Sequence, residues 1–275
     1  MTQITKLMIF SDSESHIERL KLLSKRLDTL YTLDRTELDA YLTSDLFNSD
    51  VPSDPSEKKL PLYLKLDDEG LSLTDGVHSL RGDFTDNLSR LKQSNLEREM
   101  LVKAVKLKNQ DHPPVLIDAT AGMGEDSLLL AASGFRVKLY EYDPIIASLL
   151  EDTLMRAGQV PELMDTVSRM ELHIENSIHA MNNLDFTPDI ILLDPMFPAR
   201  TKSSLVKKKF QLLQQLEPPC SDASELLKAA ILAKPQKIVI KRPVKGPYLA
   251  DIKPDYSYSG KAIRYDCILP AVRKF

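Results

Sequence analysis

Leu116-Ile-Asp118-Ala-Thr120-Ala-Gly122-Met-Gly124-Glu125-Asp126 leaves an apolar strand, crosses a turn of small residues and enters a helix predicted over 127–132. Gly122 and Gly124 lack a Cβ, so the backbone can take positive φ and a ligand can approach it closely. The next apolar run, 137–140, ends in Glu141, nineteen residues after Gly122. A carboxylate at the end of the second strand can accept hydrogen bonds from both hydroxyls of a ribose. Tyr142 beside it either flanks an adenine or shields the sheet edge. A dinucleotide site calls for a third glycine, so that helix N-terminal amides meet a pyrophosphate. Here that position is Ser127, and Glu125 and Asp126 put two negative charges at the helix entrance. Together with Asp118, these acids would repel a pyrophosphate and suit a ligand carrying a sulfonium and an α-amino group.

Outward from this stretch, apolar runs at 115–117, 137–140, 172–174, 190–193 and 237–240 alternate with helical segments. That alternation predicts an α/β fold with a doubly wound, mostly parallel sheet covered by helices on both faces. We expect this domain to occupy residues 111–275. Residues 1–110 read as a small α+β N-terminal domain with a strand at 4–10 and an amphipathic helix at 13–27. A hairpin follows at 62–66 and 71–74, and then a linking helix over 86–106. The stretch 48–59 is rich in proline, serine and charge and reads as a loop.

A second informative stretch is Pro188-Asp-Ile-Ile-Leu-Leu-Asp194-Pro195-Met-Phe197-Pro198. It is an apolar strand ending in an acid, a proline and an aromatic, at the sheet edge where open α/β sheets bind ligands. An exocyclic amine on a base is a weak nucleophile because its lone pair is delocalised, so a site acting on it needs acceptors for its two N–H groups. The Asp194 carboxylate and the Pro195 carbonyl are candidates for that task, and proline brings no competing N–H. Phe197 is a candidate to stack on an extruded base.

Composition bounds the remainder. With 43% hydrophobic residues the chain can build a sizeable core. No apolar run approaches the ~20 residues that span a bilayer, and the N-terminus lacks the pattern of a secretory leader, so a cytoplasmic protein is expected. Cys220 and Cys267 show no metal-ligand spacing, and no metal is expected. The net charge is −4, yet from Arg200 onward there are 16 basic against six acidic residues. Screening over roughly 8–10 Å lets such a basic end meet phosphates whatever the total charge. Lys202, Lys207, Lys208 and Lys209, just after the Asp194 strand, are the first candidates for RNA contact, and Lys241 and Arg242 the second.

The blocks IDATAGMGEDSLLLA, YEYDPIIASLL, LLDPMFPARTKSSLVKK and VIKRP resemble the ribosomal RNA small subunit methyltransferase J family, within the class I S-adenosylmethionine (SAM)-dependent methyltransferases. The resemblance covers about residues 80 to 275. It implies a Rossmann-like class I methyltransferase fold, SAM as cofactor and methylation of a guanine N2 in small-subunit (16S) rRNA, giving N2-methylguanosine. Either the rRNA or the 30S subunit is then the partner. Carried over by position, Glu125 and Asp126 match residues that contact SAM, and Glu141 and Tyr142 match the ribose and adenine pair. Asn176 and Ser177 match the pair at the adenine edge, and Asp194 the acid lying against cofactor and amine. In the family an arginine is common at the Glu125 and Tyr142 positions. Asp194 would orient the amine for in-line methyl transfer. Other readings stay open on the residues alone: a nicotinamide-dependent oxidoreductase, a non-catalytic RNA-binding module, or a methyltransferase for DNA adenine or protein glutamine.

Overall fold

The computed structural model describes residues 7–44, 61–107, 112–195, 212 and 222–272. They group into two compact units, one of residues 7–82 together with Leu212 and the other of residues 83–195 and 222–272.

The first unit holds β1 (Met8–Phe10), α1 (Ile17–Leu27), β2 (Tyr31–Thr32), α2 (Arg35–Leu42), β3 (Tyr63–Asp67), β4 (Gly70–Thr74) and β5 (Ser79–Leu80). Its strands order as β2-β1-β3-β4-β5, with β1 parallel to both neighbours and β3–β4–β5 antiparallel. Leu20, Leu23 and Leu27 form the buried stripe of α1, at the three- and four-residue spacing that one helix face requires. The predicted hairpin is present, the helix expected at 13–27 begins at Ile17 after a 3-10 turn, and the strand expected at 4–10 is seen at Met8–Phe10; residues 4–6 and the loop expected at 48–59 lie outside the described residues, and α2 was not anticipated.

In the second unit the segment 84–105 is broken, where the sequence suggested one helix over 86–106. A short 3-10 turn (Phe84–Asn87) is followed by α3 (Gln93–Leu96) and α4 (Met100–Val105). Lys92 and Glu99 take extended backbone angles between them. The apolar positions 88, 91, 96, 100 and 105 step by three, five, four and five, and steps of five rotate the stripe off a single face. Phe84, Leu101, Ala104 and Val105 instead join the core built on the large sheet. The predicted division at residue 110 accordingly differs from the one after Gly82.

Among the described residues, that sheet has seven strands: β6 (Val115–Asp118), β7 (Arg136–Tyr140), β8 (Met170–His173), β9 (Ile190–Leu193), β10 (Lys237–Pro243), β11 (Tyr256–Ser259) and β12 (Ile263–Ile268). Their order is β11-β12-β10-β9-β6-β7-β8. The five strands from β10 to β8 are parallel, and β12 runs antiparallel between β10 and β11. The linking helices are α5 (Glu125–Ala132), α6 (Pro144–Ala157), α7 (Pro161–Val167), α8 (Ser177–Asn182) and α9 (Ala223–Leu232). Separate apolar cores lie on the two faces, one around Leu116, Leu139 and Leu192, the other around Ile117, Ile191 and Ile240. Burial on both faces explains why these strands read as continuous apolar runs. The order reverses between β6 and β9, which puts the ligand crevice at their carboxyl ends. The run predicted at 172–174 starts earlier, at Met170, and the β11–β12 hairpin went unseen. No described helix is long and apolar enough to cross a membrane.

Candidate active site

The crevice is assembled from the turns after β6, β7 and β9. After β6 the chain turns through Gly122 (φ +53°) and Gly124 (φ +77°), both in the left-handed region that favours glycine. A Cβ on Gly122 would meet nothing within 4 Å, so that side of the turn is open. A Cβ on Gly124 would lie 2.6 Å from Leu150 Cδ1 and 3.2 Å from Phe84 Cζ, so this glycine serves close packing beneath the turn.

Glu141, at the end of β7 and 5% exposed, accepts the Gly122 N–H at 2.9 Å and the Asp143 N–H at 2.8 Å. It ties the glycine turn to the second strand. Burial raises its carboxyl above the ordinary range, and the backbone donors oppose that rise. Tyr142 beside it is 64% exposed. Asp143 then caps α6, accepting from Ile145 and Ile146 at 2.8 and 3.0 Å, with Pro144 in the first turn.

Asp118 lies beneath the turn instead of in the crevice. It is 2% exposed, with Ser127 Oγ donating to it at 2.6 Å and the Thr120 N–H at 3.2 Å. Burial pushes its carboxyl up to about 7, and the Asp126 and Asp194 charges add to the rise. Its direct contact with a cofactor, expected from the sequence, gives way to a fastening role.

At the end of β9 the Asp194 N–H donates to Thr120 Oγ1 at 2.7 Å, which locks the catalytic candidate to the turn after β6. Thr120 was not singled out from the sequence; its position opposite the strand end is visible only in three dimensions. The Asp194 side chain is 38% exposed and accepts from Lys241 Nζ at 3.0 Å. The same nitrogen donates to Asp126 Oδ2 at 2.6 Å. Burial opposes charge on Lys241, but the two carboxylates raise its ammonium well above the ordinary value. Lys241, predicted as a phosphate contact, is therefore engaged with acids of the crevice. Arg242, the other second candidate for RNA contact, is 2% exposed and donates through Nε and Nη2 to the Pro247 carbonyl at 2.9 and 2.7 Å. Side chains alternate along a strand, so neighbours on β10 face opposite ways.

Asn176 caps α8, with Oδ1 accepting from Ile178 and His179 at 2.9 and 3.3 Å, and Ser177 is buried at the first position of that helix. Both stand at the carboxyl edge, after β8. Glu125 is exposed at the start of α5. Pro195 follows Asp194 at the end of the described run, while Phe197, Lys202, Lys207, Lys208 and Lys209 lie outside the described residues. The crevice thus joins an open glycine turn, a ribose-type acceptor and several carboxylates. Among the described residues, this set of acceptors fits a cationic nucleoside such as SAM.

Comparison with known proteins agrees with that chemistry. The family described as "Putative SAM-dependent methyltransferase" matches residues 52–270. Ribosomal RNA small subunit methyltransferase J of Thioalkalivibrio sulfidiphilus is 39% identical over 214 residues, covering 75% of this chain and 84% of the relative. The Pseudomonas aeruginosa protein of that name is 41% identical over 210 residues, covering 74% and 80%. A crystal structure of a SAM-dependent methyltransferase from Neisseria gonorrhoeae superposes with a TM-score of 0.69 at 28% identity, covering 97% of both chains.

Proposed function

This chain belongs to the ribosomal RNA small subunit methyltransferase J family, and on that premise we propose that it methylates the exocyclic N2 of a guanosine in small-subunit (16S) rRNA. SAM is the methyl donor and supplies, when bound, an activated methyl group on a cationic sulfonium. The observation that best supports the amine substrate is the setting of Asp194. Its N–H is committed to Thr120, its carboxylate is partly open to the crevice, and Pro195 beside it has no N–H. The Asp194 carboxylate would accept one N–H of an incoming amine and the Pro195 carbonyl the other. Glu141 takes the ribose hydroxyls, Tyr142 and the α8 start at Asn176 and Ser177 border the adenine, and Phe197 stacks on the base. Glu125 and Asp126 border the cationic end of the cofactor. Positioning carries most of the rate, and the proton leaves the methylated amine for water or Asp194.

Lys202, Lys207, Lys208 and Lys209 remain the proposed phosphate contacts, on sequence grounds. The partner is the rRNA, free or in the 30S subunit, which sets the work in the cytoplasm. Incubation with methyl-labelled SAM and 30S subunits lacking the modification, followed by nucleoside analysis, tests this reading. Label in N2-methylguanosine is expected; label in another nucleoside, or none in RNA, overturns the substrate.

A further inference from the structure

We propose that Lys241 is a positioning residue for the methyl transfer, holding the Asp194 carboxylate in place as an ionised hydrogen-bond acceptor and sharing its charge with Asp126. The inference rests on the reading that Asp194 orients the amine. Lys241 Nζ stands 2.6 Å from Asp126 Oδ2 and 3.0 Å from Asp194 Oδ2, so the two carboxylates cannot be further apart than those distances together. Asp126 comes from the first turn of α5 and Asp194 from the end of β9, while Lys241 reaches both from β10. One ammonium thereby joins the glycine turn to the acid that faces the substrate.

The charged and titratable groups around Asp194 divide clearly. Burial raises the Asp194 carboxyl above its ordinary range, Lys241 and Arg242 on β10 oppose that rise, Asp126 on α5 adds to it, and Asp118 on β6 and Tyr265 on β12 lie in the same field. Arg242 donates through Nε and Nη2 to the Pro247 carbonyl, whereas Lys241 Nζ stands 3.0 Å from the Asp194 carboxylate. Without Lys241, the upward push of burial and Asp126 on the Asp194 carboxyl would lose its nearest opposing charge. A protonated Asp194 would present a donor where the amine needs an acceptor. The arrangement also leaves the cofactor's cation facing a triad of net charge −1 instead of two uncompensated acids. That limits tight ground-state binding, which would slow transfer of a methyl from a sulfonium that loses its charge.

The test compares full-length wild type with Lys241→Gln, Lys241→Arg, Asp126→Asn and Asp194→Asn, at saturating SAM on 30S subunits. In Lys241→Gln we expect kcat to fall about a hundredfold and the acid limb of the pH profile to move up by about one to three units. Lys241→Arg should restore much of both, and Asp126→Asn should move the limb down, because Lys241 then serves Asp194 alone. A 13C-carboxyl NMR titration of Asp194, with SAM affinity as a check on folding, reads the same coupling without turnover. An unmoved Asp194 titration or pH limb in both Lys241→Gln and Asp126→Asn overturns the proposal. Full activity of Asp194→Asn instead overturns the reading of Asp194 on which it rests, while the titration still judges the ion pair.

Discussion

Gly124 carries two demands at once, a left-handed backbone and a side without room for a methyl, whereas Gly122 carries only the first. Gly124→Ala should therefore cost roughly 2–4 kcal/mol of stability in urea denaturation, from strain plus overpacking against Leu150 and Phe84. Gly122→Ala should cost about 1–2 kcal/mol; equal losses would contradict the packing account. Asp118 gives a pH signature. Its folded carboxyl, at about 7, lies above the value of an unfolded aspartate, so the native state binds the extra proton. Its contribution is fully present below the unfolded value and is lost as pH rises towards 7. Asp118→Asn should flatten the fall in stability across that window, and an unchanged slope would show that Asp118 does not titrate there. These residues were legible in the sequence as a glycine turn with acids, because glycine and carboxylate patterns are local. What each acid touches was not: Asp118 and Asp126 sit eight positions apart yet one is sealed beneath the turn and the other reaches Lys241.

At the scale of elements, the parallel strands could be read from sequence because both faces are buried and the runs are apolar without interruption. The β11–β12 hairpin escaped because Tyr256–Ser259 is exposed along its whole length and carries no apolar run. The break in 84–105 escaped for a different reason, since its apolar residues answer to the large core and not to one helical face. Lys237 shows how α4 is held there: it is 5% exposed and its Nζ donates to the Ala104 and Lys106 carbonyls at 2.9 and 2.7 Å, closing the end of that helix. Lys237→Met would keep the bulk and leave these acceptors without their donor. We expect a loss of about 1–3 kcal/mol in thermal or urea unfolding, and an unchanged midpoint would mean that the cap contributes nothing.

Over the whole molecule the charge is polarised, with the basic excess after Arg200 following the strand that carries Asp194. A phosphate-gripping role for Lys207, Lys208 and Lys209 predicts that their joint replacement by glutamine weakens RNA binding. The salt slope should fall by about 0.7 for each phosphate of single-stranded RNA that is no longer neutralised. A parallel salt dependence would remove them from the interface. The sequence located this basic end but could not separate Lys241 and Arg242 from it, because adjacent residues on a strand point to opposite faces. The role proposed for Asp194, orienting an RNA amine at the carboxyl edge of the sheet, is open to test by single-turnover methyl transfer to 30S subunits with wild type and Asp194→Asn, alongside SAM binding. We predict that Asp194→Asn binds SAM within a few-fold of wild type yet transfers methyl at least about a hundredfold more slowly; transfer at the wild-type rate would contradict the account.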